Sequence, residues 1–129
     1  MRNILPKSES LKSKKLIRLL FDSGKSEFIY PFRVLYRKLD TVEKHPVLHM
    51  ISVSKRKIRT AVGRNHVKRL FREAYRQHKH PLTELLIKKN IHISLAFIFV
   101  GKADIDYDFM EEKVKRTLQI LTEKIEKEA

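Results

Sequence analysis

The sequence predicts an α+β fold in the order helix, two or three strands, helix, strand, helix. Three observations predict it. Apolar residues recur every three and four positions near residues 10–23, 61–79 and 107–127, as one buried face of a helix requires. Between these stretches, residues 28–39 and 47–54 alternate with a period of two, and 92–100 are apolar on both sides, as strands require. The chain has 129 residues and 42% hydrophobic content, enough for one core and too little for two, so a single domain spanning 1–129 is expected.

From about Ser10 to Ser23, Leu16, Ile17, Leu20 and Phe21 share one face and Lys14, Lys15 and Arg18 the other; Gly24 reads as a left-handed cap. Residues 28–39 set Phe32, Val34 and Tyr36 against Arg33, Leu35 and Arg37. Pro31 implies an edge or an irregular start there, and a short strand could precede this one. After a polar turn around Asp40 to His45, Val47, His49, Ile51 and Val53 face one way and Leu48, Met50, Ser52 and Ser54 the other. A basic loop, Lys55 to Thr60, leads into a helix from Ala61 to Lys79 that stops near Pro81. Leu82, Leu85, Leu86 and Ile87 form a second apolar cluster over the core. Residues 92–100 read as a strand buried on both faces. Met110, Val114, Leu118, Leu121 and Ile125 then recur at heptad-like spacing in a long final helix.

Charge narrows the class. The net charge is +14 and the pI about 10.1. Residues 1–103 hold 24 basic and 7 acidic residues, while 104–129 hold 5 and 8, so the final helix is not the expected binding face. There is no cysteine, which excludes disulfide frameworks and Cys-based zinc sites. The longest apolar run, Leu95 to Val100, is too short to span a membrane, and the start of the chain lacks the apolar core of a signal peptide. A cytoplasmic protein without a membrane partner is expected.

The helix at 61–79 carries the strongest functional signal. Val67, Leu70, Phe71, Ala74 and Tyr75 make its apolar face. Arg64, Lys68, Arg72 and Arg76 step four residues apart on the other, with Arg69 beside them and Asn65 near the first turn. Between Lys55 and Lys79 there are ten Lys or Arg residues and one acid, Glu73. Like charges at this spacing repel by about 0.2–0.5 kcal/mol per pair, a penalty that a polyanion removes. A solvated helix face would mix signs, so the stripe reads as a phosphate-binding surface.

These residues resemble the signature of the bacterial ribonuclease P protein subunit. The similarity runs through Ser52-Val53-Ser54-Lys55, the short basic loop, Ala61-Val62, Arg64-Asn65, Lys68-Arg69, Arg72-Glu73 and Arg76. It extends to a first helix closing in Phe21 and Gly24, to Val34-Leu35-Tyr36, and to Gly101-Lys102-Ala103 before the final helix at Tyr107. The resemblance implies a two-layer α/β sandwich with a left-handed βαβ crossover, against the right-handed rule. It implies a protein that binds the catalytic RNA subunit and the 5′ leader of precursor tRNA, assisting endonucleolytic removal of the leader. The reaction centre is then expected in the RNA, with Mg2+ held mainly by the RNA and substrate, and no obligate protein partner is inferred.

On the same ground, Arg64, Asn65, Lys68, Arg69, Arg72 and Arg76 are expected to bind the RNA subunit. Phe21, Phe32, Tyr36, Ser52 and Lys55 are expected to bind the leader in a concave face between the first helix and the sheet, where aromatics beside cations suit an unpaired strand. The core reading of Phe21 and Phe32 stays open. Three departures from the family pattern stand out: Ile17 replaces an aromatic, the loop between Lys55 and Ala61 lacks a glycine and is one residue longer, and His66 replaces Arg. No catalytic or metal site is expected in the chain, because neither clustered carboxylates nor a supported His pair is visible. Asp104, Asp106 and Asp108 alternate like a metal-binding run but read better as acids at a helix start. A ribosomal or ribosome-assembly RNA-binding protein is the alternative that fold and composition alone would permit. A double-stranded-RNA-binding domain fails on the late strand between two long helices, and a helix-turn-helix fails on the strand-rich remainder.

Overall fold

A computed structural model of the protein describes residues 5–128. Its elements are α1 (Lys14–Ser23), β1 (Lys25–Ile29), β2 (Phe32–Lys38), β3 (Val47–Val53), α2 (Ala61–His78), α3 (His80–Lys89), β4 (Ile93–Phe99) and α4 (Tyr107–Glu128), preceded by a 3-10 turn at Lys7–Glu9. The strands form one mixed sheet in the order β1-β2-β4-β3. β1–β2 and β2–β4 are antiparallel, and β3–β4 is parallel, its crossover made by α2 and α3.

Strand alternation divides the sheet into two unlike faces. Phe32, Val34 and Tyr36 of β2, Val47 and Val53 of β3, and Ile93, Leu95, Phe97 and Phe99 of β4 join the main core with α2, α3 and α4. At its centre Phe71 packs on Phe97 at 4.7 Å between centroids, and Phe32 meets Phe71, Phe97 and Phe99 edge-on at 5.5–5.9 Å. Each such pair contributes about 0.5–1.5 kcal/mol beyond the burial of its area. On the opposite face, Leu16, Ile17 and Leu20 of α1 cover Leu35, Ala96, Leu48 and Met50. α1 is short and leaves the end of that face uncovered.

One local expectation is made specific and three are revised. The short strand that could precede β2 is present as β1, and it takes in Phe28 and Ile29, so the stretch 28–39 is part of a hairpin turning at Tyr30-Pro31, whose peptide bond is cis. The apolar cluster around Leu82 is itself a helix, α3, which carries Pro81 in its first turn and ends on Asn90 in the left-handed region at φ 56°. Gly24 caps α1 with φ −74° and is not left-handed. It is glycine for lack of space, since a Cβ there would lie 2.4 Å from the Leu20 carbonyl oxygen. The first helix starts at Lys14, because the Ser13 side chain accepts from the Leu16 N–H and sets the cap there.

A buried polar cluster ties the segment before α1 to this frame. The Lys79 ammonium donates to Glu9 at 2.6 Å, both side chains being 7–8% exposed, and the Leu11 N–H donates to the His49 carbonyl. His49 stacks on Tyr75 at 4.4 Å between centroids. Burial pushes the His49 imidazole down to about 4; a hydrogen bond to the Glu9 backbone raises it in part, and the charges of Lys79 and Arg72 lower it. An imidazole with a folded pKa below its unfolded value binds fewer protons when folded, so its contribution is complete above about pH 6.5 and is lost as pH falls toward 4.

We expect this group to cost about 2 kcal/mol of stability between pH 7 and pH 4.5. His49→Phe, which keeps a ring on Tyr75, should flatten that pH dependence in urea unfolding. An unchanged slope in the variant would place the acid sensitivity elsewhere.

Candidate nucleic-acid interface

The basic surface begins in the loop before α2. Ile58 is buried and its N–H donates to the Ser54 carbonyl, which folds Lys55, Arg56 and Lys57 into an exposed turn. Thr60 caps α2 by accepting from the Gly63 N–H. Gly63 allows the loop to lie close, since a Cβ there would meet the Ile58 and Thr60 side chains at 2.8 and 2.9 Å.

Arg64 closes this arrangement. Its Nη1 donates to the carbonyls of Ile58 at 2.8 Å and Arg59 at 3.0 Å, so the guanidinium holds the loop against the helix. This residue is both cation and clamp, and the sequence showed only the first role. Farther along, the Arg69 guanidinium donates to His66 Nδ1 at 3.3 Å, and His66 Nε2 donates to the Ile105 carbonyl at 3.0 Å, a pairing that requires the Nε2–H tautomer of the neutral ring. His66 thus joins α2 to the loop before α4. Asp106 accepts from the Phe109 N–H at 2.9 Å and caps α4, matching the reading of these acids as a helix start.

Asn65, Arg69, Arg72 and Arg76 line a shallow groove of about 740 Å³ beside Tyr107. Asn65 and Arg72 are exposed, and Lys68 is half-buried on the same helix. Arg76 pairs with Glu73 at 2.5 Å, and hydrogen bonds from Arg76 and Gln77 hold that carboxyl below its usual range. One acid therefore offsets one end of the stripe and leaves the groove cationic.

The expected leader residues divide between the two sheet faces. Ser52 lies opposite Ile98, and Ile98 opposite Arg33, on the face that α1 partly covers. Phe32 and Tyr36 have the other parity. Phe32 is fully buried in the aromatic core, and Tyr36 is 5% exposed beneath α4, where its hydroxyl donates to Glu128 at 2.9 Å. Burial, then the hydrogen bond to Glu128, push the phenol up to about 12. Neither ring is available for stacking, which corrects their expected place beside Ser52. Phe21 is 48% exposed on α1, and Lys55 is exposed just past the end of β3.

Two residues missed in the sequence complete the open row. Phe28 pairs across from Arg33, giving the line Phe28, Arg33, Ile98, Ser52, with Phe28 62% exposed and Arg33 also exposed. The alternation of β2 already set Arg33 apart from Phe32, but only the register brings Phe28 beside it. Among the described residues no group of three or more His, Asp or Glu gathers as a metal site. No helix of the described residues is long and apolar enough to cross a membrane.

A family model described as Ribonuclease P matches residues 5–126. The chain is 38% identical over 117 residues to the ribonuclease P protein component of Porphyromonas gingivalis, covering 88% of this chain and 83% of that one. It is 32% identical over 126 residues to the protein of the same name from Chlorobium phaeobacteroides, covering 90% and 86%. In fold it is similar to the RNase P protein of Staphylococcus aureus, with TM-score 0.68 and 20% identity over 89% of this chain and 96% of that one. The Thermotoga maritima RNase P protein gives TM-score 0.67 and 24% identity over 86% and 96%. The alternative of a ribosomal protein finds no support in these matches.

The two roles of the arginines can be separated. Arg64→Ala removes two charge-assisted hydrogen bonds and should cost about 2 kcal/mol in urea unfolding. Arg72→Ala should stay within about 0.5 kcal/mol of the parent. Both should weaken RNA binding, and Arg72→Ala should lower the slope of log affinity against log salt by about 1. Equal stability of the two variants would remove the clamp role from Arg64.

Proposed function

The chain belongs to the ribonuclease P protein family and is a subunit of that ribonucleoprotein endoribonuclease of tRNA processing; from this premise we propose how its two surfaces divide the work. The α2 groove and the basic loop bind the catalytic RNA subunit, and the open sheet face binds the 5′ leader of precursor tRNA. The observation that carries this reading is the cationic stripe of α2, built on a helix whose other side is locked into the aromatic core.

Arg69, Arg72 and Arg76, with Lys68, meet phosphates and 2′-hydroxyls of structured RNA, and Asn65 offers an amide at the groove's end. The loop cations add phosphate contacts on a backbone already fixed by Arg64, so little ordering entropy is lost on binding. A net charge of +14 also offsets repulsion between two polyanions, the RNA subunit and its substrate.

On the open face, Phe28 and Phe21 offer apolar surface to unpaired bases, Arg33 and Lys55 meet phosphates, and Ser52 supplies a hydroxyl. Phe32 and Tyr36 act beneath this face by holding the sheet to α2 and α4. We assign the reaction centre to the RNA. Magnesium, which would stabilise charge on the scissile phosphodiester and activate water, is assigned to the RNA and substrate phosphates; Asp106, Glu73 and Glu27 of this chain are engaged in a helix cap and in ion pairs. The site of action proposed is the cytoplasm.

In the reconstituted holoenzyme, Phe28→Ala should weaken precursor tRNA binding by about 1 kcal/mol or more and leave mature tRNA unaffected. Tyr36→Phe, which removes only the hydrogen bond to Glu128, should leave both affinities unchanged. Equal losses for precursor and mature tRNA with Phe28→Ala would move the leader off the open face.

A further inference from the structure

We propose that Tyr30 is a stacking platform for an unpaired nucleotide of bound RNA, with its phosphates directed to Lys57 and Lys102. The proposal rests on the reading above that the chain binds unpaired RNA, and extends it beyond the open face to the rim of the sheet.

The ring stands where three loops meet. At one end of the sheet lie the Tyr30-Pro31 turn, the basic loop that follows β3, and the Gly101 loop that follows β4. Tyr30 is 55% exposed there, although a tight turn gains nothing from an exposed aromatic ring. A recess of about 460 Å³ on one side is lined by Tyr30, Lys57 and Lys102, with Ile58, Val100 and Gly101 as its floor. A second recess, about 630 Å³, shares Tyr30 and Lys102 with the first but sets Asp104 and Asp106 beside them in place of Lys57. With two lysines and no acid against one lysine and two aspartates, a phosphate is favoured in the first recess over the second.

The turn that carries the ring is anchored. The Val100 N–H donates to the Pro31 carbonyl at 2.9 Å, which fixes the turn to the end of β4. Pro31 is buried, and Gly101 approaches it so closely that an added Cβ would lie 3.1 Å from the Pro31 Cβ and 2.9 Å from the Phe99 ring. Backbone held this way loses little freedom when a base stacks on the ring it carries. Two lysines beside an aromatic favour RNA over an apolar protein partner, for which the same cations would have to be desolvated.

The chain contains no tryptophan, so Tyr30→Trp creates a single reporter. In the full-length protein its fluorescence should be quenched saturably by a short single-stranded oligoribonucleotide, and hardly by a duplex of the same length. Tyr30→Ala should weaken binding of that oligonucleotide at least about fivefold, the factor equivalent to about 1 kcal/mol of stacking, and Tyr30→Phe should retain it. Lys57→Ala and Lys102→Ala should each reduce the salt slope by about 0.7, the value for one phosphate contact on a single strand. Phe28→Ala serves as the comparison. Loss with Phe28→Ala but neither loss nor quenching at Tyr30 overturns this proposal and leaves the open-face reading standing. Loss with neither aromatic overturns both. If Tyr30→Ala proves unstable, absence of quenching in Tyr30→Trp is sufficient to reject the platform.

Discussion

The packing of α2 against β4 is the constraint on which the rest of the structure depends. Phe71 and Tyr75 insert among Phe97, Phe32 and His49, so one side of α2 is fixed in the aromatic centre of the core. This decides the helix's rotation to within a residue. Once Val67, Phe71, Ala74 and Tyr75 are buried, Asn65, Arg69, Arg72 and Arg76 have nowhere to go but one outward groove. Cations that repel one another by tenths of a kcal/mol per pair can be carried because each buried aromatic contributes several times more.

The same packing dictates the character of the sheet. Period-two alternation sends every large aromatic of β2 and β4 toward α2 and α4, leaving Arg33, Leu35, Ala96, Ile98 and Ser52 on the opposite side. α1 has only the small cluster around Leu20 with which to cover that side, and it covers part. The open row is thus a consequence of an asymmetric distribution of apolar volume. An open face with a cation, an aromatic and a hydroxyl results without weakening the main core.

Preorganisation recurs at the rim. Arg64 ties the basic loop to α2 through two carbonyls, His66 ties α2 to the loop before α4, and the Pro31–Val100 hydrogen bond ties the hairpin turn to β4. Each uses a polar group near the proposed RNA surface to stiffen backbone rather than leaving it solvated. The buried Glu9–Lys79 pair does the same for the segment before α1. A desolvated pair of this kind is a stronger determinant of a single arrangement than of net stability.

The sequence by itself determined the types of α1, β2, β3, α2, β4 and α4, the amphipathic basic helix and its family signature, while α3 was legible only as an apolar cluster. Helical and strand periodicities are local properties, and the charge on Arg64, Lys68, Arg72 and Arg76 is read directly at spacing four. It also sorted β2 correctly into Phe32, Val34 and Tyr36 against Arg33, Leu35 and Arg37. Which of those two sets lies on the open sheet face was decided only by tertiary structure, because the answer lies in whether a helix many residues away covers that side. For the same reason Phe28 acquired its neighbour Arg33 through strand register, and Arg64 its clamp role through loop carbonyls. Gly24 shows the limit at the smallest scale. Its residue type marked the end of α1, but beside the Leu20 carbonyl of its own helix a Cβ would also meet the Tyr36 carbonyl of β2 at 3.2 Å, a neighbour that no local pattern records.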